Sequence, residues 1–139
     1  MRIFRFAIVA WILVLGACGP LQRTSPTPEI EIQEGLAGVE AVEVVMLMSF
    51  PLQVHLQVSG YLADPCTLID QVITQRDGYA FEVSITTKRD PEAVCIQVLE
   101  PFTKSVPLDV YGLPAGAYSV LVNGIGAEFT FNQDNILGE

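Results

Sequence analysis

One histidine, one tryptophan, three cysteines and seven Lys/Arg residues are all that 139 residues hold of these types, against sixteen Asp/Glu. Each scarcity excludes something. With His55 as the sole imidazole, Ser84, Ser105 and Ser119 have no plausible His-centred relay, and no nucleophile motif surrounds any of them. One His and the cysteines at their spacings do not make a four-ligand zinc set. No Asp-x-Asp-x-Asp-Gly calcium loop occurs, and Gly112, Gly116, Gly124 and Gly126 fall at β corners and hairpins rather than in a phosphate loop. Nothing marks Asp64, Asp70 or Asp109 as a carboxylate pair for hydrolysis. The formal net charge of −9 repels phosphate backbones and anionic headgroups, which excludes nucleic acid as a partner and a polybasic membrane contact. The expectation is a non-enzyme with no cofactor and no metal.

What is present begins at the first residue. Met1-Arg2-Ile3-Phe4-Arg5 leads into an apolar stretch over 6–15, and Leu15-Gly16-Ala17-Cys18 closes it. An Arg-bearing start, a short apolar run and small residues before a cysteine predict a lipoprotein signal peptide over 1–17. Cleavage falls between Ala17 and Cys18, and the Cys18 thiol takes the lipid. The run of about 10 residues is too short to span a hydrocarbon core of about 30 Å. The protein is therefore expected outside the cytoplasm, lipid-anchored to the bacterial cell membrane or outer membrane. Its contact with the membrane runs through the N-terminal lipid only. Removing 17 of the 139 residues leaves 122, enough for one domain of about 100 residues plus a tether. Arg2 and Arg5 leave with the signal, so five Lys/Arg face sixteen Asp/Glu in the mature chain, a net −11.

Cys66 and Cys95 then remain in an oxidising compartment, where they are expected to pair as a disulfide. Closing a loop of that length would stabilise the fold by roughly 3.5 kcal/mol in the chain-entropy picture. Residues 18–38, with Pro20, Pro26 and Pro28 among Thr24, Ser25 and Thr27, have the composition of a flexible tether. Within it the alternating Ile30 and Ile32 have the pattern of a short edge strand.

Over 39–139 the pattern is strands with turn signals between them. Val42, Val44, Met46 and Met48 share one face of a first strand that Phe50-Pro51 ends, and Val54, Leu56 and Val58 alternate with Gln53, His55 and Gln57 in a second. Near Asp77-Gly78, apolar pairing favours a three-residue loop that sets Ile69 against Ile85 and Ile73 against Phe81. At Asn123-Gly124 a two-residue type I′ turn pairs Val122 with Ile125, Val120 with Ala127 and Tyr118 with Phe129. Between the hairpins, Asp90-Pro91-Glu92-Ala93 has the form of one capped helical turn. Cys95, Ile96 and Val98 start a strand that Pro101 interrupts, and Val106, Leu108 and Val110 form another. Seven to eight short strands without an amphipathic helix predict an all-β, antiparallel sandwich, with a small closed barrel as the competing architecture.

The stretch Tyr111-Gly112-Leu113-Pro114-Ala115-Gly116-Ala117-Tyr118-Ser119-Val120 is similar to a corner of immunoglobulin-like and fibronectin III-like domains. The resemblance implies that the Tyr118 hydroxyl bonds upstream backbone and pins the corner. Antibody-type domains differ in having a core Trp, whereas Trp11 lies in the signal. From Pro51 to Phe131 the chain also resembles small bacterial lipoproteins of unassigned function, which implies a location and no activity.

His55 with Met46 and Met48 has donors that suit Cu(I), but the methionines continue the Val42 and Val44 face, so core packing accounts for them more simply. Two functional readings follow. One is a non-catalytic binding or structural module taking an extracytoplasmic protein or glycan. The other is a surface-tethered inhibitor of secreted peptidases, using Lys88-Arg89-Asp90-Pro91 and the 101–107 stretch as its loops.

Overall fold

Period-two alternation is realised as eight strands: β1 (Gln33–Leu36), β2 (Gly38–Leu47), β3 (Gln53–Leu62), β4 (Thr67–Asp77), β5 (Ala80–Arg89), β6 (Glu100–Leu108), β7 (Gly116–Val122) and β8 (Ile125–Phe131). The computed structural model describes residues 32–137; the expected signal peptide, Cys18 and the expected tether up to residue 31 lie outside the described residues. No helix occurs among the described residues. One sheet runs β2-β3-β6; the other has five strands, β1-β5-β7-β8 with β4 on the free side of β5. The expected all-β sandwich of seven to eight strands is borne out, with one pairing, β5 to β7, parallel rather than antiparallel.

The core fills the space between the sheets. Val54, Leu56 and Val58 of β3 face Phe81, Val83 and Ile85 of β5 and Val120 and Val122 of β7, all buried. Phe81, Tyr118, Phe129 and Phe131 join them as a connected aromatic group, with Tyr118 stacked on Phe129 at 5.2 Å. Offset and edge contacts of this kind add to the area term that dominates burial.

The β7–β8 hairpin has the expected register, Val122↔Ile125, Val120↔Ala127 and Tyr118↔Phe129. Asn123 at φ 44° and Gly124 at φ 92° make its type I′ turn. The Tyr118 hydroxyl donates to the Pro114 carbonyl at 2.8 Å, as the corner resemblance implied. Burial raises the phenol pKa, which keeps this hydroxyl a donor.

Five expectations are corrected. The ordered sandwich starts at Gln33 rather than at 39, because β1 pairs with Thr86–Arg89 inside the stretch assigned to the tether. The β4–β5 register is Arg76↔Phe81 and Val72↔Ile85, with Ile73 opposite Ser84. Its turn is Gly78-Tyr79, and Gly78 at φ 57° followed by a residue of negative φ fits type II′. Apolar pairing misled there because β4 is an edge strand with a register shift between Ile69 and Val72, so its apolar residues need not all face the core. Met46 and Met48 are not core residues: Met46 is 45% and Met48 104% exposed, because β2 is the edge strand of its sheet and Met48 lies past its end.

The segment over 95–99 forms no strand, and Pro101 lies within β6 instead of interrupting a strand. β6 is a sheet edge, where Pro101 and Pro107 withhold no hydrogen bond that a neighbour needs. The single turn expected at Asp90 is present: its carboxylate accepts from Glu92 N at 2.9 Å and its carbonyl from Ala93 N at 3.1 Å.

Candidate functional site

A broad hollow lies on the outer face of the five-stranded sheet. Two rows of side chains cross four strands there: Gln75–Glu82–Leu121–Gly126 and Asp77–Ala80–Ser119–Glu128. Because side chains alternate, these are the residues left outside when Phe81, Val120 and Phe129 turn inward. Ala80, Ser119 and Gly126 keep the floor low, and the longer Gln75, Glu82, Leu121 and Glu128 rise around it. The resulting groove has a volume of about 640 Å³. Asp77, Ala80, Ser119 and Glu128 also line an adjoining hollow of about 300 Å³, closed at its far end by the half-exposed ring of Tyr79.

Charge in the groove has one sign. Asp77, Glu82 and Glu128 line it and, among the described residues, no Lys or Arg does. Among the described residues the two ion pairs lie elsewhere, Lys88–Asp70 at 2.9 Å and Arg89–Asp64 at 2.8 Å. Three carboxylates around an apolar floor attract a cationic, partly apolar ligand. They do not converge as metal ligands: no group of His, Cys, Asp and Glu able to hold a metal occurs among the described residues.

At one end of the sandwich the structure brings Cys66 and Cys95 to disulfide distance, with Cα atoms 6.1 Å apart. The neighbouring Asp64 is buried: Oδ1 accepts from Cys66 N and Thr67 Oγ1, and Oδ2 from Arg89 Nε. The hydrogen-bonded Arg89 guanidinium holds the Asp64 carboxyl below its ordinary pKa, against the opposing effect of burial. Arg89 also donates to the carbonyls of Asp90 and Ala93 at 3.1 Å, fixing the loop that carries Cys95.

The remaining sequence candidates disperse. His55 Nδ1 and Ser105 Oγ lie 3.4 Å apart on exposed strands of the other sheet, at the outer limit of a hydrogen bond, and no carboxylate bonds the imidazole. Val45 stands opposite His55, so His55 and Met46 project from opposite faces and do not share a metal site. Ser119 is on the groove floor and Ser84 opposite Ile73, neither within reach of His55. Of the two candidate inhibitory loops, 101–107 is paired strand and the Lys88 and Arg89 side chains are held in ion pairs.

Two side-chain amides, one on the turn residue Asn123 and one on Asn135, carry polar architecture that sequence reasoning did not reveal. The Asn123 amide bridges β5 to the β1–β2 junction: Oδ1 accepts from Ile85 N at 2.9 Å, and Nδ2 donates to Ala37 O at 2.9 Å and Ile85 O at 3.0 Å. Asn135, 1% exposed, accepts from Leu52 N and donates to Leu52 O and Val110 O. The groove was also missed, since it exists only once β5 and β7 pair in parallel.

Residues 56–132 match the family described as the ORF11 beta-sandwich domain. Three proteins of Herpetosiphon aurantiacus are similar to the chain, each named as an uncharacterized 10.2 kDa protein. The one in the HgiCIIM 5′ region is 31% identical over 87 residues, covering 63% of this chain and 92% of the relative. Those in the HgiBIM and HgiEIM 5′ regions are each 32% identical over 77 residues, covering 55% of this chain and 93% of the relative. No solved structure matches the chain. The chain belongs to the ORF11 β-sandwich family.

Proposed function

We propose that this member of the ORF11 β-sandwich family is a lipid-anchored, extracytoplasmic, non-catalytic binding module. Acyl chains on Cys18 hold it to the membrane, and the outer groove of the five-stranded sheet takes a cationic ligand. The observation that carries the binding role is the groove itself: about 640 Å³, open, low-floored and lined by Asp77, Glu82 and Glu128 without a counter-charge. A ligand with a positive group and an apolar segment would meet the carboxylates at the rim and Ala80 and Leu121 between them. The Leu15-Gly16-Ala17-Cys18 stretch supports the anchor, and the mature chain's acidity suits an exported soluble domain.

The test uses tri-lysine as the probe. At low ionic strength it should bind saturably and shift the amide signals of β5, β7 and β8 around Glu82, Ser119 and Glu128. Tri-glutamate should not. The Glu82→Gln/Glu128→Gln protein should lose most of the affinity while keeping its fold, since both side chains are exposed. Equal shifts in that variant, or shifts scattered over the whole surface, would show that the groove is not the binding face.

A further inference from the structure

A second surface lies at the end of the sandwich where the described chain begins. Gln33 of β1 and Thr67 of β4 both pair with Arg89, the last residue of β5. Ile32 lines a small hollow of about 280 Å³ with Cys66, Leu68, Lys88, Arg89 and Asp90. The start of the described chain, the cysteine pair and the β5–β6 loop are therefore neighbours.

That loop exposes what a soluble loop normally buries. Val94 is 99% exposed, Ile96 72%, Val98 48% and Leu99 61%. Ile32 and Leu68 beside them are also more than half exposed. The loop is held in place: Arg89 bonds the Ala93 carbonyl, and Cys95 lies against Cys66. Lys88 and Arg89 are neutralised by Asp70 and Asp64, so among the described residues this end offers no unpaired Lys or Arg to select anionic lipid.

We infer that the apolar β5–β6 loop rests in the interface of the bilayer that carries the Cys18 lipid, a second membrane contact beyond the lipid alone that the sequence led one to expect. This rests on the proposed anchor at Cys18. The length of chain outside the described residues supports the occupant: Cys18 and Ile32 are 14 residues apart, a span of at most about 50 Å. A tether of that length makes contact with the bilayer intramolecular, so a few partly inserted aliphatic side chains suffice to hold the domain down. The other end cannot serve as readily. β3 alone is ten residues long, which places the Met48 and Phe50 end about 30 Å further along the strands.

The full chain, exported and purified from membranes, is reconstituted in phosphatidylcholine vesicles with brominated acyl chains. The one native tryptophan, Trp11, precedes the Cys18 cut, so Ile96→Trp and, at the opposite end, Tyr111→Trp give single reporters in the mature protein. Both sites are more than half exposed, so neither substitution disturbs the core. The Ile96→Trp reporter should be blue-shifted and quenched several-fold more than the Tyr111→Trp reporter. Equal quenching of the two in protein whose Cys18 lipid is verified by mass would overturn the inference and leave the anchor standing. Protein that carries no lipid and does not float with the vesicles would overturn both.

Discussion

Asn123 carries two tasks, and replacing it with Gly separates them. At φ 44° the residue occupies the left-handed region of the β7–β8 turn, which Gly adopts without penalty. Its amide meanwhile bridges this turn to β5 and Ala37. Asn123→Gly keeps the turn and removes the bridge. Ile85 O retains the bond from Ala37 N at 3.0 Å, so the groups left without their partner are Ile85 N and Ala37 O. Both residues are buried, and each orphaned group costs about 1–3 kcal/mol, giving roughly 2–4 kcal/mol after some hydration of the vacated space. Asn123→Ala removes the same bonds and adds about 1 kcal/mol of left-handed strain. Urea unfolding followed by far-UV circular dichroism measures both. If Asn123→Gly lies within about 0.5 kcal/mol of the parent, the bridge contributes nothing to folding. If Ala and Gly are equally destabilising, the turn conformation is the part that has been misjudged.

Asn135→Ala should cost about 3 kcal/mol in the same assay, because Leu52 N, Leu52 O and Val110 O all lose their partner in a site with little access to water. A loss below about 1 kcal/mol would mean that the two loops and the C-terminal segment are not held by this amide. Tyr118→Phe removes only the bond to Pro114 O and should cost about 1 kcal/mol, with unchanged aromatic packing. A cost several times larger would point to a role beyond the corner. Asp64 has its folded pKa below the unfolded one, so its pairing with Arg89 stabilises above the ordinary carboxylate pKa and is lost as pH falls through about 4 and below. Asp64→Asn should therefore flatten the acid limb of the stability profile; an unchanged limb would assign the acid response to other carboxylates.

What could be read from the sequence was local. The β7–β8 hairpin follows from a turn pair and strict alternation over Tyr118 to Phe129, and the Tyr118 corner from a ten-residue stretch. The Cys66–Cys95 pairing follows from counting thiols once Cys18 is set aside. What escaped depends on distant segments. β1 is four exposed residues with no alternation to reveal it, and only its pairing with β5 makes it a strand. The β4–β5 turn slipped because apolar pairing selected a three-residue loop over Arg76-Asp77-Gly78, whereas β4 is an edge strand whose apolar residues are not all held to the core face, so that pairing did not fix the register. Asn123 and Asn135 carry ordinary turn and loop chemistry in sequence, while their amides bond residues 86 and 83 positions away. The groove needs residues from β4, β5, β7 and β8 in one row, a juxtaposition with no local signature.

The proposed anchor at Cys18 underlies both the proposed location and the proposed membrane contact of the loop, and mass analysis of the N-terminal peptide of the exported protein tests it most directly. The peptide should begin at Cys18 and carry acyl chains on that residue, and Cys18→Ser should accumulate unprocessed without label. A mature N-terminus at any other residue, or a free Cys18 thiol in membrane-derived protein, would contradict the anchor.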